Sequence, residues 1–253
     1  MKINRIGVLI YGAVCYAVFF ATFLYAIGFV GNLVVPKGID SEPGMPLVTA
    51  LVIDLAVLAV FAVQHSVMAR PAFKRRWTKL VPEAAERSTY VLFSSLALIA
   101  LFYFWQPLGG VIWQVENPIG QALLWGGFAL GWTLVLVATF LINHFDLFGL
   151  RQVWLHVRGV EYAPLKFATP GPYRFVRHPL YLGWLFAFWC TPTMTVTHLL
   201  FAVMTTAYIL IAIQLEERDL ITALGEDYRA YRERVPMILP IGRRRQAALA
   251  KYT

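Results

Sequence analysis

Arg177-His178-Pro179-Leu180-Tyr181-Leu182-Gly183 is the run richest in chemistry, and Glu216-Glu217 follows thirty-three residues after its glycine. Two cations, a fixed turn and a phenol stand at the mouth of one apolar segment. Two carboxylates return at the far end of the next. Such a set suits a small, charged, aromatic ligand at a membrane surface. Cations take an anionic group by charge-assisted hydrogen bonds, carboxylates take an ammonium, and tyrosine faces take rings or onium cations.

Three further groupings carry ionisable side chains. Gln64-His65-Ser66-Val67-Met68-Ala69-Arg70-Pro71 closes one apolar run, and Asn143-His144-Phe145-Asp146-Leu147-Phe148-Gly149-Leu150-Arg151-Gln152 follows another. Tyr228 and Tyr231 are spaced i, i+3 on a short helix expected from Glu226 to Val235, with Arg232 four beyond Tyr228. Cys15, Cys190, His156 and His198 match no metal-ligand spacing, so no catalytic metal is expected.

The elements that must position these groups follow from composition. The 253 residues are 59% hydrophobic and 14% charged, against about 25% charged in soluble domains. Mean hydropathy is +0.62. The chain therefore reads as an all-α integral membrane protein, a polytopic bundle of five to six transmembrane helices. Apolar runs fall near 6–30, 47–68, 88–105, 119–142, 179–191 and 196–215, most of them close to the roughly 20 residues needed to cross hydrocarbon. The run at 179–191 is shorter and is expected to form a shallow helix completed as a hairpin by its successor. The first run exceeds a signal-peptide core of about 7–15 residues and is expected to be retained.

Charge orients the bundle. Lys2 and Arg5, six basic residues in 69–87, five in 143–178 and eight from 216 onward, including Arg243-Arg244-Arg245, fall in alternate segments, and Lys37 stands alone on the other side. The positive-inside rule then puts both termini in the cytoplasm of a bacterial inner membrane. The net charge of +8 reflects this topology and anionic lipid headgroups, so nucleic acid need not be invoked. Segments 31–46 and 106–118 read as turns. The stretch 143–178 carries Pro164, Pro170 and Pro172, which argue against one continuous helix. Residues 1–142 are read as N-terminal membrane helices. Residues 143–253 are read as the loop, helical hairpin and tail that form a cytoplasmic-side pocket, the whole being one integrated domain. Asp54, an expensive ionisable group within the second run, is expected toward the outer side with a structural role. Gly127 and Gly131 form a small-xxx-small step suited to close helix packing.

The order Gly171, Tyr173, Arg177-His178-Pro179, Tyr181, Gly183, then Glu216-Glu217, Leu220, Gly225, Tyr228 and Tyr231 resembles the isoprenylcysteine carboxyl methyltransferase superfamily over about seventy residues. The 64–71 and 143–152 segments look like its NnrU-type branch and, within that, the bacterial methanethiol S-methyltransferases. The resemblance implies an S-adenosyl-L-methionine pocket. Arg177 or His178 would bind the donor's carboxylate, Glu216 or Glu217 its ammonium, and Tyr181, Tyr228 and Tyr231 its adenine or sulfonium. Tyr173, Arg174, Pro179 and Gly183 complete the motif, Gly183 clearing room for ligand or neighbouring backbone. The implied reaction carries a methyl group to a small thiol, converting methanethiol to dimethyl sulfide.

A thiolate is the better nucleophile, and an alkyl thiol has a pKa at or above the roughly 8.5 of cysteine, so a base near neutrality would help. His144 is the first candidate, with Asp146 orienting or replacing it across a turn at 148–150, and His65 is the second. Arg151 and Gln152 would close the site from above as substrate-binding residues, or contact lipid phosphates. Competing readings keep the donor but change the acceptor to a lipid amine or prenylcysteine carboxylate. Others use a nicotinamide cofactor, as in the related sterol reductases, or make the chain a non-catalytic NnrU-like protein binding haem through His65 and His144.

Overall fold

Inside hydrocarbon no water satisfies open backbone groups, so apolar runs of this length close their hydrogen bonds as helices. A computed structural model describes residues 4–241; Lys2 and the Arg243-Arg244-Arg245 cluster lie outside the described residues. Five helices are long and apolar enough to cross a membrane: α1 (Arg5–Gly31), α2 (Leu47–Ala69), α4 (Glu83–Phe104), α5 (Pro118–Leu141) and α9 (Val196–Leu224). Between them lie α3 (Pro71–Trp77), α6 (His144–Leu147), α7 (Leu150–Arg158) and α8 (Pro179–Trp189), with α10 (Glu226–Arg234) after α9. Ile10, Val52, Val63, Leu123 and Ile211 stay exposed on the outer faces, as a lipid-facing exterior requires. The chain is a multi-pass all-α membrane protein.

At 1.5 Å per residue α8 extends only about 17 Å, short of the ~30 Å hydrocarbon core. It is followed by β2 (Thr193–Thr195), which pairs antiparallel with β1 (Val111–Gln114) in the register Val111↔Thr195 and Gln114↔Thr193. Residues 106–118 were expected to be a turn, and the small sheet is a departure from that. Four residues are too few to show an alternating pattern, and their backbone groups find partners only in a segment 80 positions away. The 143–178 stretch also differs. Its first half folds into α6 and α7, while the prolines keep 160–170 irregular.

α8 is held mainly by α5. A Cβ on Gly183 would lie 2.8 Å from the Gly131 carbonyl oxygen and 2.8 Å from the Val135 nitrogen, and one on Gly131 would lie 2.5 Å from the Ala187 nitrogen. Gly183 therefore admits neighbouring backbone, one of the two uses expected of it. Gly127, against Cys190, extends the same seam. An aromatic core of Phe29, Phe102, Trp105, Phe128, Trp132, Phe188 and Phe201 fills the centre.

The two ends of the bundle differ in polarity. At the sheet end, Asp54 is fully buried and accepts the Gln106 N–H at 2.7 Å, capping the chain after α4. Trp105 donates its indole N–H to Ile39 there, at 3.2 Å. At the opposite, basic end, Arg70 pairs with Asp219 at 2.9 Å and Tyr11 bonds Thr89 at 2.9 Å, tying α2 to α9 and α1 to α4. The motif residues gather at this end.

Candidate active site at the basic end of the bundle

The site is built on a turn and a returning chain. Gly171–Arg174 forms one 3-10 turn, and Pro179 opens α8 at the first helical position, where its missing N–H costs nothing. The chain after α10 returns alongside: Arg177 N–H bonds the Pro236 carbonyl at 2.9 Å and His178 N–H the Met237 carbonyl at 3.1 Å. α9 runs past the other side, bringing Glu216 and Glu217 to the turn. Gly225, with φ of 60°, breaks the helix so that α10 folds over the cluster.

Glu217 is its pivot. Arg177 Nε donates to Oε1 at 2.7 Å and His178 Nε2 donates to the same oxygen at 3.0 Å. Arg177 also donates to the Arg232 and Val235 carbonyls. The donors of Arg177 are thus largely used by the protein, and it positions α10. Arg232 lies 3.9 Å from the second oxygen of Glu217, and Arg174 is exposed at the rim. One residue earlier, Glu216 accepts the Tyr181 hydroxyl at 2.9 Å.

α10 contributes an aromatic layer. Phe167 packs edge-on to Tyr228 and Tyr231, whose rings are 5.8 Å apart, and Tyr231 donates to the Tyr173 carbonyl at 2.6 Å. Burial pushes the Tyr231 phenol up to about 12, with Arg177 opposing and Glu217 adding to the shift. Burial, then Glu216, raises Tyr173, and burial, then Glu217, raises Tyr228. All three are protonated near neutrality. The Tyr228 hydroxyl is buried with no hydrogen-bond partner among the described residues. A spare buried donor, an aromatic layer and a carboxylate with acceptor capacity fit a ligand bearing ammonium, carboxylate and a flat ring, as S-adenosyl-L-methionine does.

The 143–152 residues form a separate network. Asn143, with φ of 89°, caps α6 by accepting from the Asp146 N–H. Gly149, also at φ of 89°, approaches α4 so closely that a Cβ would lie 2.7 Å from the Ser88 nitrogen. Asp146 binds Arg151 at 2.8 Å, and Gln152 Nε2 donates to the Asp146 carbonyl at 3.0 Å. The expected His144–Asp146 partnership is not formed, because side chains two apart in a helical turn diverge. His144 Nδ1 is 2.8 Å from the Thr139 hydroxyl, whose own hydrogen goes to the Leu136 carbonyl at 2.7 Å. Nδ1 must therefore donate, leaving Nε2 to accept the Tyr16 hydroxyl at 2.8 Å. Both nitrogens are occupied, the ring stacks on Phe140 at 4.3 Å, and the residue is 3% exposed. Burial pushes its pKa below the ordinary imidazole value.

His65 meets polar partners on α4 that the sequence did not single out. Its Nδ1 is 3.1 Å from the Ser94 hydroxyl and its Nε2 2.9 Å from that of Tyr90. The Arg87 guanidinium lies 5.0 Å over the Tyr90 ring, and its Nε donates to the Leu147 carbonyl at 2.6 Å. A cleft of about 480 Å³ opens beside it, lined among others by Lys74, Glu86, Asp146, Gln152 and His156. The available signal was Arg87 and Tyr90, one helical turn apart at the start of an apolar run.

No protein-family model and no solved structure matches the chain. Curated relatives do. Methanethiol S-methyltransferase of Crocosphaera subtropica is 58% identical over 238 residues, covering 94% of this chain and 93% of the relative. Methanethiol S-methyltransferase of Mycobacterium tuberculosis is 54% identical over 237 residues, covering 94% and 97%. More distantly, Nurim of Rattus norvegicus is 33% identical over 183 residues, 69% of each chain. The first two likenesses cover more than nine-tenths of this chain and of each relative, and on that ground the chain belongs to the methanethiol S-methyltransferase family.

Proposed function

We propose that this chain moves a methyl group from S-adenosyl-L-methionine to methanethiol, releasing dimethyl sulfide, at the cytoplasmic face of a bacterial inner membrane. The observation that carries the reading is the pair of carboxylates on α9. Glu217 is bound by Arg177 and His178, while Glu216, held by Tyr181 alone among the described contacts, has acceptor capacity left for a ligand. When bound, the donor supplies an activated methyl on a sulfonium.

The chain's own residues bind and orient. Glu216 would accept the ammonium, Arg232 and Arg174 would take the carboxylate, and Phe167, Tyr228 and Tyr231 would offer the ring an aromatic surface. Arg177 and His178 hold the turn, Glu217 and α10 in register, so they act through position. Alignment of two reactants is worth up to about 7–11 kcal/mol, enough for much of the acceleration without a covalent intermediate. Asp146 and Gln152 line the polar cleft, and Arg151 holds Asp146 in place.

Headspace gas chromatography of the purified protein given methanethiol and S-adenosyl-L-methionine tests the proposal. Dimethyl sulfide above the protein-free control supports it. Donor binding displaced by nicotinamide nucleotides, a Soret band with no turnover, or methylation of lipid amine alone would each refute it.

A further inference from the structure

We infer that the acceptor thiol binds between α2 and α4, beside Tyr90, Ser94 and His65, and that it binds as the thiolate under the field of Arg87 and Arg70. The inference rests on the thiol-methyltransferase reading and names where its acceptor sits.

Ionisable and hydroxyl groups within a membrane helix are costly and mark functional sites by default. Here they collect on facing surfaces. Tyr90 and Ser94 on α4 meet His65 on α2, and Ser66 bonds Tyr208 of α9 at 3.1 Å. The Tyr90 hydroxyl lies within 3.1 Å of both ring nitrogens of His65. A neutral imidazole carries one N–H and one bare nitrogen, so His65 can donate to the Tyr90 oxygen and leave the Tyr90 proton for another acceptor. The same group reaches the helix that carries the donor-site carboxylates: Ser66, next to His65, bonds Tyr208, which lies on α9 with Glu216.

Charge decides the form in which a thiol would sit there. Arg87 lies 5.0 Å over the Tyr90 ring, and Arg70 Nε donates to the carbonyl of Ser66, the neighbour of His65, at 3.2 Å. Arg70 is partly neutralised by Asp219, whereas Arg87 makes no ion pair among the described residues. Both guanidiniums therefore border the cluster. The same two favour an anion, as cations beside a cysteine favour its thiolate. The S–H bond breaks with its electron pair left on sulfur, and the proton goes to water in the cleft that Arg87 also lines. Tyr90 and Ser94 then donate to the sulfur, with His65 holding the Tyr90 hydroxyl in place. The acceptor is accordingly a small alkyl thiol.

The test is calorimetric titration of ethanethiol into donor-free full-length protein, in two buffers of different ionisation heat near neutral pH. The expected result is close to one proton released per thiol bound. Arg87→Gln and Tyr90→Phe should each weaken thiol binding by about tenfold, the loss of one hydrogen bond or charge contact to an anion, with donor affinity within twofold of wild type. Should Arg87→Gln fail to fold, Tyr90→Phe and Arg87→Lys replace it, the lysine variant retaining proton release. Thiol binding without proton release, or wild-type thiol affinity in the folded variants, overturns the site. If wild type makes no dimethyl sulfide in the headspace assay, the parent reading falls as well; if it does while the variants bind ethanethiol normally, only the site falls.

Discussion

Arg177 and Glu217 are joined at 2.7 Å across the gap between the start of α8 and the end of α9, with side chains only 10% and 8% exposed. The pair closes the hairpin at the basic end, and the remaining Arg177 donors fasten α10. Breaking such a buried pair from one side costs about 3–5 kcal/mol, because it strands a charge. Arg177→Lys should therefore weaken donor binding by more than tenfold, since an ammonium cannot reproduce the guanidinium fork. Glu217→Gln should lower it less than Glu217→Ala. Calorimetric titration with S-adenosyl-L-methionine, alongside circular dichroism to confirm folding, measures both. Equal affinity in all three variants would remove the clamp from the binding account.

Tyr228→Phe tests the orphan hydroxyl. A buried donor without a partner is a cost to the apo protein, so its removal should leave thermal stability unchanged or slightly raised. If that hydroxyl serves the ligand, donor affinity should fall about tenfold. A fall in Tm with unaltered affinity would contradict this assignment.

Gly183→Ala should destabilise the protein by about 1–3 kcal/mol or more, because the new methyl meets backbone on α5 and neither helix can rotate away alone. Gly126, whose Cβ position is open, supplies the control: Gly126→Ala should be neutral to stabilising. Thermal unfolding in detergent reads the difference.

His144 gives a pH signature. Its folded-state pKa is lowered by burial, so the unfolded chain binds the proton more readily. Stability is then full above the ordinary imidazole value of about 6.5 and declines as pH falls below it. Tm of wild type should drop between about pH 7 and 5 relative to His144→Gln, which carries no proton to take up. A constant difference between the two proteins across that range would show that His144 does not titrate on unfolding. Since both ring nitrogens are held by Thr139 and Tyr16, turnover of the glutamine variant should follow its stability.

Much was legible in the chain because membrane insertion reduces folding to a few local rules. Apolar length placed every long helix, although α9 continues nine residues past its apolar run to Leu224, and Gly225 and Pro236 bounded α10 where turn chemistry requires. The Arg177-His178-Pro179 and Glu216-Glu217 groups were also found from type and spacing, since two adjacent helices must return their ends to the same side. The β1–β2 pairing, the Gly183–Gly131 contact and the Tyr90–His65–Ser94 cluster were not readable, because each joins residues that no periodicity relates.

The sequence by itself thus determined which segments cross the membrane and which motif residues share one end, because hydrocarbon leaves a backbone no other choice. Only the tertiary structure decided which of those residues are spoken for. It committed Arg177 and His178 to Glu217, enclosed His144 between Tyr16 and Thr139, and left Glu216 and the Tyr228 hydroxyl with capacity to spare. The physical reason is that a side chain's hydrogen-bonding capacity is finite, and its use by neighbours depends on helices that meet in space rather than in sequence.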